Sequence, residues 1–273
     1  MSKVSDVAVE LAELSAAVDG SPEGLELVRI AARLSGVLKA KLNATLVEDS
    51  NLSRLAGLPF GSTIDVTTGL KRSFDSKKYT AAQVIARSQI EAELSKLSAR
   101  YAMSCVITQE SSSSTSALVC RLASRSRFVL VRGSSFSTEH FVGPGARRGR
   151  ETVRPGGRIV LVLGQGGAAD QVIAALGGEI SAELMEDILV LTGQEVGSDE
   201  MKSIRNNISR ISGNRSVTVE QVRPFDPRAI SQRISLERPS LTILPIDLKT
   251  GGDQSGADVL SDHRGLYLFV TVS

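Results

Sequence analysis

Tryptophan is absent from this 273-residue sequence, histidine and cysteine occur twice each, and aromatic residues make up only 4% of it. Cys105 and Cys120 form no CxxC pair, which excludes a disulfide-stapled scaffold and matches a reduced, cytoplasmic protein. His140 and His263 stand alone, with no clustered Cys or His nearby, and read as surface residues, not as metal ligands or bases. No window approaches 18 uninterrupted apolar residues, so no membrane partner is expected. Asp6, Glu10 and Glu13 fall where an export signal needs an apolar stretch. Lys and Arg number 32 against 30 Asp and Glu, a net +2 that is too small to make nucleic acid a partner.

Catalytic signatures are missing as well. There is no G-x-x-x-x-G-K-[ST] phosphate loop and no G-x-S-x-G nucleophile elbow. No general base or Mg²⁺ ligand set can be named, so the expectation is no catalytic residue, no metal and no enzyme, with a weak ATPase left open.

The 41% hydrophobic content suits a globular protein of one large or two small domains. Charge is unevenly placed. Residues 1–156 hold 21 basic and 15 acidic side chains, and residues 157–273 hold 11 and 15, so the halves carry +6 and −4. Arg147, Arg148, Arg150 and Arg154 lie between Gly143-Pro144-Gly145 and Pro155-Gly156-Gly157. That stretch reads as a solvated linker over 146–157, with an anionic partner as the other reading.

Both halves spell α/β units. Leu14–Val18 is a short strand that stops at Asp19-Gly20-Ser21-Pro22, where Ser21 suits a helix cap and Pro22 the first helical position. Leu27, Ile30, Ala31, Leu34, Val37 and Leu38 follow at helical spacing, and Leu42–Val47 is strand-like. After a loop over 51–78, Tyr79, Ala82, Ala86, Ile90, Leu94, Leu97 and Tyr101 predict a long helix. Strands at Ser104–Thr108 and Arg127–Val131 flank a helix over Ser116–Ala123. The second half repeats the order with strands at Arg158–Leu163, Ile188–Leu191, Ser216–Val222, Leu241–Leu244 and Leu266–Val272. Its helices are expected at 168–176, Glu200–Ile211 and Pro227–Leu236. This order predicts a doubly wound parallel sheet in each half, with residues 1–145 and 158–273 as tandem domains.

The run Ala17-Val18-Asp19-Gly20-Ser21-Pro22-Glu23, the helix segment Ala31–Leu34 and Leu46-Val47-Glu48-Asp49 together resemble the first unit of the universal stress protein family. Val47–Phe60 is similar to a stretch that follows the second strand in a bacterial two-domain subgroup. The resemblance covers about residues 13–133; over 157–273 it rests on element order. It implies a Rossmann-like fold of the adenine nucleotide alpha hydrolase type, a homodimer, a stress-response or regulatory role, and in some members binding of ATP, ADP, AMP or adenosine. By that resemblance the nucleotide-binding candidates are Asp19, Gly20, Ser21, Val47, Gly133 and Gly143, with Asp19 matching the acid that reads the adenine and ribose end. A carboxylate at a strand's C-terminal edge, beside the next helix's free N–H groups, faces the ligand crevice of such sheets. Asp19 also suits a purely local role in its turn.

Nucleotide-binding members carry Gly-x-x-Gly, nine residues, then Gly-Ser/Thr after the fourth strand. Here Gly133-Ser134-Ser135-Phe136 puts Phe at the second glycine, and Ala146-Arg147 replaces the final pair. Gly143 and Gly145 are left to serve in a rearranged loop or in the linker. In the second half Gly164 stands where the acid should be. Gly164–Ala169 fits G-x-G-x-x-A, which gives dinucleotide binding as an alternative, although no acid follows at Leu191-Thr192-Gly193. A ligand-free module with protein partners, both crevices filled by side chains, is the competing reading. Dimerisation is expected through the apolar strand Leu266–Val272 at a sheet edge.

Overall fold

The computed structural model describes residues 12–56, 58, 62–64, 69–73, 75–133, 157–164, 168–193, 198–213, 215–247 and 265–272. The first half runs β1 (Glu13–Val18), α1 (Pro22–Leu38), β2 (Lys41–Asp49), α2 (Ser50–Ala56), β3 (Ser62–Ile64), β4 (Lys71–Ser73), α3 (Ser76–Tyr101), β5 (Cys105–Ser112), α4 (Thr115–Ala123) and β6 (Phe128–Arg132). The second runs β7 (Arg158–Leu163), α5 (Ala168–Leu184), β8 (Asp187–Thr192), α6 (Ser198–Ile211), β9 (Val217–Gln221), α7 (Pro227–Glu237), β10 (Leu241–Asp247) and β11 (Leu266–Val272).

Nine strands form one sheet in the order β5-β2-β1-β6-β11-β10-β7-β8-β9. Numbered by their order within each half, the first half reads 3-2-1-4 and the second half, from its far edge, also reads 3-2-1-4, followed by the fifth strand β11. Every pairing is parallel except β6 with β11. The two doubly wound halves are therefore joined into one sheet and point in opposite directions, which puts their crevices at opposite edges of it.

Both faces of the sheet are covered, which is why its central strands read as continuous apolar runs. One face carries Leu14, Ala16, Val18, Leu42, Leu130, Leu161 and Leu268 under α1, α3 and α5. The other carries Ala17, Val47, Val129, Val131, Leu189, Tyr267 and Phe269 with α4 and α7. Cys105 and Cys120 are half-buried and pack against these two cores in turn.

Three expectations change. The 51–78 loop contains α2 and the antiparallel pair β3–β4. The helix expected over 168–176 continues to Leu184, because Gly177 and Gly178 sit against Leu161 and Ile211 and serve as close-packing positions, not as a stop. Leu266–Val272 is not an edge strand: it lies at the centre, antiparallel to β6 and parallel to β10. Its apolar character is explained by burial on both faces. Of the linker reading, only Gly157 lies within the described residues, and His140, Gly143, Arg147, Arg148, Arg150, Arg154 and His263 lie outside them.

Candidate functional site

The crevice of a doubly wound sheet lies where neighbouring strands send their chains to opposite faces. In the first half that point is between β1, which leads into α1 on one face, and β6, which is entered from α4 on the other. Register places the candidates in a row there. Val18 pairs with Leu46 and Ala16 with Leu130, so one residue past the first pair Asp19 is level with Val47. Three residues past the second pair it is level with Gly133. Leu266 pairs with Arg132, and the Gly133 N–H donates to the Gly265 carbonyl at 2.8 Å. The row is Val47, Asp19, Gly133, Gly265.

Asp19 is set by its own turn. Its Oδ1 accepts from the Ser21 N–H at 3.2 Å and from the Ser21 hydroxyl, while the Ser21 Oγ accepts from the Gly24 N–H at 3.0 Å as the cap of α1. Asp19 Oδ2 takes no hydrogen bond among the described residues. The local role of this carboxylate thus falls to one of its two oxygens. Gly24, buried in the first turn of α1, makes the geometry possible, since a Cβ there would stand 2.5 Å from Asp19 Oδ1. Gly20 is exposed at the mouth, with the Ala86 Cβ of α3 closing one side of it at 2.5 Å from where a Cβ would be. Val47 is buried in the same apolar cluster as Ala17, Leu118 and Val119, and its side chain offers no polar group.

Acids also cluster at the neighbouring strand ends. Asp49 Oδ1 accepts from the Asn51 N–H at 2.8 Å, and Glu48 Oε1 accepts from Gln109 Nε2 at 2.6 Å. Both carboxylates therefore have a partner that fixes them. No group of three or more His, Cys, Asp or Glu suited to a metal ion occurs among the described residues. None of the described helices is long and apolar enough to cross a membrane.

The equivalent crevice of the second half is built differently. Leu163 pairs with Thr192, so Gly164 and Gly193 hold the positions of Asp19 and Val47. The Gly164 N–H donates to Asp170 Oδ1 at 2.8 Å, which places a carboxylate at the start of α5. The Phe225 ring lies over Gly193, its Cδ1 2.5 Å from where a Cβ would stand. Sequence reasoning missed Gly24, Tyr267 and Phe225. Gly24 left a signal, as a glycine in a helix's first turn where alanine is the better helix former. The other two left none, because only the register shows what they face.

No family model matches the chain, and no curated protein matches it. A universal stress protein from Archaeoglobus fulgidus DSM 4304 superposes with a TM-score of 0.50 over 94% of this chain and 96% of that one, at 7% identity. A functionally unknown protein from Pseudomonas aeruginosa PAO1 gives 0.45 over 94% and 92% at 12% identity. A universal stress protein solved in complex with cAMP gives 0.33 over 39% and 92% at 14% identity. With identities this low the likeness is one of architecture: the chain has the doubly wound α/β fold of the universal stress proteins.

Proposed function

We propose that this protein is a non-catalytic regulatory protein of the universal stress protein type that binds an adenine nucleotide in the first-half crevice. The observation that carries the reading is the level row of Val47, Asp19 and Gly133 at the switch point, with Asp19 Oδ1 held by Ser21 and Oδ2 taking no hydrogen bond among the described residues. A carboxylate oriented in this way accepts from ribose hydroxyls. At the start of α1 the Ser21 and Gly24 N–H groups are taken by Asp19 and Ser21 and Pro22 has none, so Asp19 Oδ2 is the polar group this turn offers a ligand. The Gly133 N–H is held by Gly265, so a phosphate takes it only by opening that bond.

Phe225 favours a different role for the second half. Its ring fills the space over Gly193, and the Asp170 carboxylate occupies the helix start that a dinucleotide's pyrophosphate would need. The second crevice is a filled, ligand-free one that serves architecture and protein contacts, in preference to the dinucleotide reading. A homodimer and further protein partners remain part of the proposal. They use surfaces other than β11, which is buried inside one chain.

The test is calorimetric titration of ATP, ADP, AMP and NAD into the wild type and into Asp19→Ala. Binding of an adenine nucleotide that is weakened in a folded Asp19→Ala supports the assignment. Equal affinity in the two proteins, or no binding at millimolar ligand, removes it. NAD binding unaffected by Asp19→Ala would move the site to the second half, and light scattering decides the dimer.

A further inference from the structure

Tyr267 is fully buried in β11, yet its hydroxyl has no hydrogen-bond partner among the described residues. Buried hydroxyls are nearly always paired, since burial strips them of water with nothing in return. Phenylalanine fills the same volume without that penalty and is used two residues on, at Phe269. The hydroxyl therefore lacks a structural reason.

Its position supplies another one. Tyr267 pairs with Val131 on the face that also carries Ala17 and Val47, two pairs inward from the row of Asp19, Gly133 and Gly265. The ring leans back along the strand towards that row. Its Oη, Cζ and Cε2 lie 3.2 to 3.3 Å from where a Cβ on Gly265 would stand, so Gly265 must lack a side chain for the ring to lie there without displacing a neighbour. Asp19 and Gly265 are two strands apart, about 10 Å at ordinary sheet spacing. That is the order of the distance from a nucleotide's ribose to its terminal phosphates. Burial pushes the phenol up to about 12, which keeps it a proton donor throughout the neutral range.

We propose that Tyr267 is a binding residue of the first-half crevice, its hydroxyl donating to a terminal phosphate oxygen of the adenine nucleotide whose ribose end faces Asp19. The inference rests on the nucleotide reading above. Binding parts the end of the β6–β11 pair, so that the Gly133 N–H leaves the Gly265 carbonyl and becomes a second donor to the phosphate. The phosphate-binding groups are thus supplied across the seam between the halves, which makes up for the glycines missing after Gly133.

The experiment is Tyr267→Phe, melted without ligand and titrated with ATP and with adenosine beside the wild type and Asp19→Ala. The free variant should melt at or above the wild-type temperature, because an unpaired hydroxyl is removed. ATP affinity should fall about tenfold while adenosine affinity stays within twofold. A lower melting temperature of free Tyr267→Phe means that the hydroxyl has a partner in the free protein, and overturns the proposal. So does an unchanged ATP affinity in Tyr267→Phe when Asp19→Ala is impaired, an outcome that leaves the nucleotide reading standing. Absence of ATP binding in the wild type removes that reading and this inference together.

Discussion

The ring of Phe225 covers Gly193 at the register position that Val47 holds in the first half, with the ring Cδ1 2.5 Å from where a Gly193 side chain would begin. One half thus fills this corner with a strand residue's own side chain. The other leaves the strand bare and fills the corner from the loop before α7. Phe225→Ala should cost about 2 kcal/mol, below the 3–5 kcal/mol of a fully buried Phe because this ring is half-buried. Gly193→Val should cost about 1–3 kcal/mol by overpacking. Together the two changes should cost less than their sum, since the new valine fills the space the ring vacates. Urea unfolding of the four proteins gives the coupling, and strict additivity would mean that the two residues do not share this space.

The turn that holds Asp19 gives a prediction opposite to helix propensity. Alanine is favoured over glycine inside a helix by about 1 kcal/mol. At Gly24, however, the added Cβ would meet the Asp19 carboxylate and carbonyl. Gly24→Ala should therefore destabilise, and it should weaken nucleotide binding because Asp19 has to move. Ser21→Ala removes the cap to the Gly24 N–H and should cost about 1 kcal/mol. A thermal melt showing Gly24→Ala more stable than wild type would sever Gly24 from the placement of Asp19.

These two corners mark what the sequence does and does not disclose. The strands, the helices and the capping turn at Ser21-Pro22 follow from local pattern, because apolar periodicity and cap chemistry are properties of adjacent residues. The doubly wound class follows from element succession, but the 3-2-1-4 order does not, because other doubly wound orders share that succession. The place of Leu266–Val272 does not, since a strand buried on both faces in mid-sheet and an apolar edge strand awaiting a partner have the same composition. The candidate site was legible at Asp19, where the turn is local, and illegible at Gly133 and Gly265. There it is assembled by a pairing between residues 133 and 265, and no spacing rule reaches that far.

Two glutamates should respond to pH with opposite sign. Burial raises the Glu186 carboxyl above the ordinary range, against the hydrogen bond from the Ser240 hydroxyl and the nearby Arg33 charge. Its folded form holds the proton more tightly than the unfolded chain does. Its contribution is thus complete below the unfolded pKa, about 4.3, and is lost as pH rises through the folded value. Glu186→Gln should therefore raise the melting temperature at pH 7, with the gain shrinking towards pH 4. Glu220 is held below the ordinary range by Arg233, whose Nε and Nη2 donate to its two oxygens at 2.6 and 2.7 Å. That contribution is present above the unfolded pKa and is lost as pH falls through the folded one. Glu220→Gln should cost about 1 kcal/mol at most at pH 7, given the partial exposure of the pair, and nothing in acid. Parallel pH profiles of the two variants would contradict this assignment.

The seam between the halves decides how the protein unfolds. β11 pairs with β6 on one side and β10 on the other, and Thr271 Oγ1 donates across to the Ser126 and Ala123 carbonyls at 3.0 and 3.3 Å. Phe269 is fully buried at the middle of this strand. Removing its ring by Phe269→Ala should cost about 3–5 kcal/mol. Because the two halves share this strand, neither keeps a closed core edge when the other opens: loss of β11 bares β6 of the first half and β10 of the second together. Calorimetry should accordingly give one transition in the wild type and one, at lower temperature, in Phe269→Ala. Native-state hydrogen exchange should lose protection equally on β1 and β7. Two separated transitions, or a loss confined to one half, would mean that each half is stable without β11 and that the antiparallel pairing only docks them.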